Sequence, residues 1–277
     1  MRFAFKTSPQ HTNWADMLAT WQAADDIELY EGGWTFDHFY PIFSDSTGPC
    51  LEGWITLTAL AQATTRLRVG VLVTGNVYRH PAVLAKMAAT LDVVSDGRLE
   101  LGIGAGWNEE ECTAYGIDLP PLRERFDRFD EALEVIVGLL TNETTTFAGQ
   151  HYQLTEARSE PKAVQRPHPP IVIGGTGPTR TLKAAARWAQ HWNHPGGTVE
   201  QWLESKATLA RHCEEVGRDV AEITTSTHLR IDPDAPGEGI DNAKSFADAG
   251  LDLGIAYLPT PHTPARVHQL ADLLATV

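Results

Sequence analysis

What most constrains the fold of this chain is an alternation of short apolar strands with amphipathic helices that runs from one end to the other. Eight strand candidates stand out: Arg2–Lys6, Glu28–Gly33, Arg68–Thr74, Arg98–Ile103, Pro170–Gly174, Gln190–Asn193, Thr224–Arg230 and Leu253–Leu258. Helical patterns separate them at Trp14–Ala24, Leu51–Ala63, Pro81–Val94, Phe126–Leu140, Thr181–Ala189, Val199–Val216, Asn242–Ala249 and Pro264–Ala275. Pro81 suits a first helical turn. Phe126, Phe129, Leu133, Ile136, Val137 and Leu140 recur at helical spacing and predict one apolar face. Strands and helices in alternation imply a parallel sheet with helices outside it. Eight such pairs in 277 residues predict closure into one α/β barrel, a single domain over residues 1–277. Thr144–Pro169 breaks the rhythm. Its Thr144–Phe147 and His151–Leu154 stretches flank Ala148-Gly149-Gln150 and predict a hairpin, followed by a Pro-rich loop, inserted after the fourth strand.

In an α/β barrel, active sites are built where strands end and loops begin. Four strand ends carry residues suited to that. Arg98-Leu-Glu-Leu-Gly-Ile-Gly-Ala-Gly-Trp-Asn-Glu109 runs an apolar strand into small residues, so a ligand can sit directly on the backbone at Ala105 and Gly106. The acidic run Glu109–Glu111 suits the first turn of a following helix. Ile171-Val-Ile-Gly-Gly-Thr-Gly-Pro-Thr-Arg180 is a second glycine-rich strand-to-helix turn. Free N–H groups there, with the hydroxyls of Thr176 and Thr179 and the charge of Arg180, make a phosphate seat; the alternative is a tight barrel turn. Asp37 and His38 follow the second strand among Trp34, Phe36, Phe39 and Tyr40. Adjacent residues point opposite ways within a strand, but at a strand end both can reach one cavity. A histidine there can exchange a proton near neutral pH, and the aromatic cluster suits a planar ligand; the alternative is a structural histidine. Gly75-Asn76, ending the third strand, suits an unusual backbone turn, and His80 before Pro81 reads as a helix-start residue.

Other classes of function are disfavoured. The net charge of −14 opposes a nucleic-acid surface. No long apolar run predicts a membrane span, and the N-terminus turns polar too early for a signal peptide. Three scattered cysteines, Cys50, Cys112 and Cys213, suit a reducing cytoplasm and no metal cluster. The histidines are dispersed rather than set as a ligand group, and no Gly-x-Ser-x-Gly elbow occurs.

The stretch from Val73 to Glu109, with Pro120–Glu134 and Pro170–Leu182, closely resembles the luciferase-like monooxygenase superfamily, in particular the branch that uses the deazaflavin coenzyme F420. The likeness covers nearly the whole chain in order. It implies a bacterial luciferase-like (β/α)8 TIM barrel with an insertion after strand 4. It further implies an oxidoreductase that transfers hydride between F420 and a small organic substrate in the cytoplasm, and relatives of this kind commonly pair as homodimers. By resemblance, Asp37 and His38 stand beside the deazaflavin ring, with His38 as proton donor. Leu72 and Thr74 lie on a bulge behind the ring, where the family often has a non-proline cis peptide. Ala105 and Gly106 contact the ring, while Gly175, Thr176, Gly177 and Thr179 seat the phosphate. Trp107 and Trp34 are expected to line the substrate pocket. Sugar-phosphate dehydrogenases of the family carry a Glu where this chain has Ala105, so oxidation of a sugar phosphate is not expected. Two other readings share the fold: an FMN-dependent monooxygenase using reduced flavin and oxygen, and a flavin-binding barrel without turnover.

Overall fold

The computed structural model describes all 277 residues. Its strands are β1 (Arg2–Lys6), β2 (Tyr30–Thr35), β3 (Arg68–Val71), β4 (Thr74–Gly75), β5 (Leu99–Gly104), β6 (Thr145–Ala148), β7 (Gln153–Ala157), β8 (Ile171–Gly174), β9 (His191–His194), β10 (Thr224–Arg230) and β11 (Leu253–Tyr257). The helices are α1 (Trp14–Asp25), α2 (Gly53–Ala63), α3 (Pro81–Val94), α4 (Glu109–Tyr115), α5 (Leu122–Thr141), α6 (Thr181–Trp188), α7 (Val199–Glu215), α8 (Gly237–Asp248) and α9 (Pro264–Leu274). Nine strands pair in parallel in the order β3-β2-β1-β11-β10-β9-β8-β5-β4, and β3 also pairs with β5. That last pairing closes the ring. Because β3 and β4 both lie against β5, they form one stave interrupted at the cis peptide Leu72–Val73. The barrel therefore has eight staves, as the alternation predicted.

Two helices begin earlier than their apolar spacing indicated. The first turn of α5, Leu122-Arg-Glu-Arg125, has little apolar periodicity to reveal it. The start of α8 is masked by Gly237 and Gly239, residues with poor helix propensity. Gly239 answers to packing: a Cβ there would stand 2.7 Å from the Arg230 carbonyl oxygen, so the helix can lie on β10 only without a side chain. His80 caps α3, accepting the Ala82 N–H at 3.2 Å, as its place before Pro81 suggested. The excursion folds as the antiparallel pair β6–β7 between β5 and β8. No helix is long and apolar enough to cross a membrane.

The main core lies between staves and helices, where Trp21, Trp192, Trp202 and Phe246 are fully buried. A second, smaller cluster fills the barrel: Ala4, Trp34, Leu72, Val172, Leu253 and Ile255. This placement corrects the expectation for Trp34. Its ring packs edge-on to His191 at 5.7 Å and occupies the space that Gly70 leaves, where a Cβ would stand 2.3 Å from the indole. Trp34 plugs the barrel and does not line the cavity. Beside it, Glu100 accepts from His191 Nδ1 (2.9 Å) and Arg68 Nε (2.6 Å), and His191 Nε2 meets Ser226 Oγ at 2.6 Å. Asn193 donates to the same hydroxyl at 2.9 Å.

Candidate active site

One large cavity, about 1120 Å³, opens at the C-terminal ends of the staves. Each stave supplies its last residues: Lys6 from β1, Phe36 and His38 after β2, and Leu72, Val73 and Gly75 around the β3–β4 break. Gly104–Trp107, Gly174–Gly175, Asn193, His228 with Arg230, and Tyr257 with Leu258 complete the wall. The glycines matter because bulk is excluded there. A Cβ on Gly104 would come within 3.0 Å of Val73, and one on Gly106 within 2.8 Å of Val77. Gly106 also has φ +91°, a backbone conformation that side chains rarely adopt.

His38 faces this cavity and is fixed from behind. Its Nδ1 lies 2.7 Å from Glu111 Oε2, an atom that also accepts the Tyr78 hydroxyl at 2.7 Å. Glu111 Oε1 accepts the Phe39 N–H. A carboxylate can only accept, so the Nδ1 proton belongs to this bond and Nε2 is left without a partner in the chain. Burial alone would raise the Glu111 carboxyl. The bonds from His38, Phe39 and Tyr78 outweigh it and hold the group below the usual carboxylate range. Glu111 sits in the first turn of α4, behind the N-cap Asn108, and is fully buried. The acidic run identified that turn, yet nothing in its spacing separated Glu111 from the exposed Glu109 and Glu110. Only the meeting of α4 with the segment after β2 does so.

The neighbouring acid goes the other way. Asp37 is fully buried and does not line the cavity; it forms a forked ion pair with Arg79, which also holds Glu52 at 2.7 Å. Burial raises its carboxyl, with Arg79 opposing. The strand-like opposition of adjacent side chains thus persists past the end of β2, correcting the expectation that both residues reach one cavity. Thr74 is likewise behind the wall, where its Oγ1 accepts Trp54 Nε1–H at 2.8 Å. Leu72, Ala105, Gly106 and Trp107 all line the cavity. Trp107 stacks on Phe43 at 5.5 Å, nearly parallel, and meets His38 edge-on at 5.6 Å. Phe43 is 86% exposed, so the two rings form an apolar lip.

The expected phosphate turn is divided. Gly175 lines the cavity, Thr176 borders an adjoining hollow of about 300 Å³, and Gly177 and Thr179 lie exposed. Thr181, the first residue of α6, lines the cavity in their place. Arg180 turns away to Asp127 and Asp130, 2.8 Å from each, and leaves the helix without a side-chain cap. Sequence reasoning also missed Lys6, His228, Arg230 and Tyr257. They are scattered in sequence, and only barrel closure brings their staves together.

The fold and this cavity define a (β/α)8 barrel with one large cavity at its C-terminal rim. The chain belongs to the luciferase-like monooxygenase family, whose model matches residues 1–235. It is 31% identical over 270 residues to an F420-dependent glucose-6-phosphate dehydrogenase of Kineococcus radiotolerans, covering 94% of this chain and 78% of that one. It is 37% identical over 142 residues to an uncharacterized protein of Mycobacterium tuberculosis, spanning 51% of this chain and about half the length, 49%, of the relative. In three dimensions it is similar to an F420-dependent secondary alcohol dehydrogenase solved with an F420-acetone adduct. The TM-score is 0.88 at 19% identity, over 100% of this chain and 98% of that one, a likeness of fold.

Proposed function

We propose that this chain is a coenzyme F420-dependent oxidoreductase that moves hydride between the deazaflavin and a small organic substrate, with His38 handling the substrate's proton. The observation that carries the reading is His38. Its Nδ1 is fixed by Glu111, its Nε2 is free, and it lines the same cavity as the glycine-ended staves. The residues present fit a planar ring with an anionic tail. Leu72, Val73 and Ala105 offer an apolar surface, and Gly104 and Gly106 offer bare backbone where an added Cβ would meet Val73 or Val77. Gly175, Thr181 and the uncapped N-terminus of α6 offer donors for a phosphate, with Thr176, Gly177 and Thr179 on the turn beside it.

When bound, the deazaflavin would supply a carbon that carries hydride and reacts poorly with oxygen. The chain's own part is positional and acid–base. His38 Nε2 can give a proton to a substrate oxygen as hydride arrives, or take one as hydride leaves. Glu111 fixes the orientation of the imidazole through its bond to Nδ1. Asp37, through Arg79, and Thr74, through Trp54, brace the wall behind the ring. Trp107 and Phe43 shield the mouth from water. Ala105 leaves no carboxylate at the end of β5, which argues for a substrate other than a sugar phosphate.

Titration of the purified chain with F420 and with FMN, followed by ring fluorescence, tests this. Micromolar binding of the deazaflavin, with FMN far weaker, is expected. FMN binding together with oxygen uptake by the reduced flavin would replace the reading with a monooxygenase. Deazaflavin binding without hydride exchange across a panel of alcohols, aldehydes and unsaturated acids would favour a barrel without turnover.

A further inference from the structure

Three adjacent staves place a cationic pole at one side of the cavity. Lys6 of β1 and Arg230 of β10 are both in register with Tyr257 of β11, so the three side chains share a face. Lys6 Nζ lies 4.9 Å from the Tyr257 ring centre and the Arg230 guanidinium carbon 5.1 Å from it. His228, two residues before Arg230, meets the same ring edge-on at 4.9 Å. All four line the cavity.

The pole lacks a counter-charge. Lys6 is 2% exposed, makes no salt bridge, and has one hydrogen bond, to the Leu72 carbonyl at 2.9 Å. An ammonium has three donors, so two remain. Arg230 makes no salt bridge either. The two acids lining the cavity are engaged elsewhere: Asp234 holds Arg266 at 2.8 Å, and Asp232 accepts the Asp234 N–H at 2.9 Å. His228 Nε2 is buried without a partner, and burial, with Lys6 and Arg230 nearby, keeps the ring well below its ordinary pKa. A neutral imidazole beside two cations leaves them unrelieved, in a chain whose net charge is −14. Lys6 is a buried charge without a charged partner, which is costly and persists where a ligand completes the pair, while Arg230 stands exposed beside it.

We infer that this pole receives the carboxylate of a small organic acid, whose apolar body lies toward Phe43 and Trp107. The inference rests on the oxidoreductase reading for the acid's role as substrate. Its charge pairing rests on Lys6 and Arg230 alone. An ammonium and a guanidinium, from the staves that flank β11 and each about 5 Å from the same ring centre, offer charged donors to an anion in the cavity. The seat proposed above for the coenzyme's phosphate, at Gly175, Thr181 and the start of α6, lies on another part of the rim.

Calorimetric titration of the full chain with benzoate, benzamide and phenyl phosphate tests the assignment. Benzoate should bind, and benzamide should bind at least about tenfold more weakly. Lys6→Met and Arg230→Gln should each weaken benzoate by at least about tenfold. Arg230→Gln should leave F420 affinity, read by ring fluorescence, within about threefold of the parent. Arg230 is exposed, so that variant stands even if Lys6→Met fails to fold. No benzoate binding, equal affinity for benzamide, or preference for phenyl phosphate would each overturn the carboxylate pole. So would variants that lose F420 while retaining benzoate, because the cations would then belong to the coenzyme's tail. Intact benzoate binding without any F420 binding would instead remove the oxidoreductase reading and leave the pole in place.

Discussion

The barrel holds two buried histidine–glutamate pairs, alike in chemistry and opposite in situation. His38 and Glu111 meet at 2.7 Å at the C-terminal rim; His191 and Glu100 meet at 2.9 Å inside the staves. The inner pair even carries a serine, with Ser226 Oγ 2.6 Å from His191 Nε2, so that Ser, His and Glu stand in the order of a hydrolase triad. Yet Ser226 is fully buried, His191 is 2% exposed, and neither lines the cavity. The outer histidine has a free nitrogen at the cavity wall; both nitrogens of the inner one are engaged. Similar hydrogen-bonded pairs therefore support a proposed acid–base role at one end of the barrel and cohesion at the other. Access decides which, and residue type does not.

The contrast predicts that the two pairs fail differently when cut. The largest effect should come from His38→Ala: turnover per folded molecule falls roughly 10²-fold or more, while F420 affinity stays within about tenfold. Unchanged steady-state turnover would remove His38 from the chemistry. Glu100→Ala should do the reverse. It strands His191 and Arg68 in the interior and should destabilise the fold by about 3–5 kcal/mol, read by urea unfolding, with turnover per folded molecule preserved. A loss of turnover larger than the loss of fold would break the comparison. Glu111→Gln belongs between them. One amide oxygen cannot accept from His38, Phe39 and Tyr78 together, so the ring loses its fixed orientation. The expected result is a fall of about tenfold in kcat with KM and F420 affinity unchanged, a split that a merely structural residue would not produce.

The legibility of these features in sequence follows the same division. The eight staves were readable because strand and helix periods differ and the chain repeats them, and β10, at Thr224–Arg230, matched residue for residue. The cis peptide at Leu72–Val73 was readable only through family likeness. His38, Ala105, Gly106 and Trp107 could be placed at the cavity because strand ends are where barrels place ligands, and all four line it. Trp34 was misplaced because an aromatic residue near a strand end satisfies core and pocket equally well in sequence, and only its seat over Gly70 separates them. Asp37 was misplaced for a long-range reason, since its partner Arg79 lies 42 positions away. Glu111, Lys6, Arg230 and Tyr257 were invisible because their meaning arises from contacts between segments that are distant along the chain.

Acid should undo the two regions in sequence, rim first. Buried His262, at the cavity edge, is held down to about 4 by burial, against an ordinary value of 6.5. Burial also lowers His194 and His228. Each is favoured neutral in the fold, so its contribution is complete above pH 6.5 and is lost as pH falls toward its folded value. For His262 the loss amounts to at most about 3 kcal/mol. Glu100 behaves as a depressed acid. Burial alone would raise it, but His191 and Arg68 carry it from 4.5 to about 2, so its contribution is present above pH 4.5 and lost only below that. Unfolding free energy measured by urea between pH 7 and 3 should therefore fall in two stages. His262→Asn should flatten the upper stage in part, because His194 and His228 still titrate, and leave the lower stage unchanged. If Glu100→Gln flattens the upper stage instead, the sealed pair is not sealed, and the distinction between rim and interior fails at its weakest point.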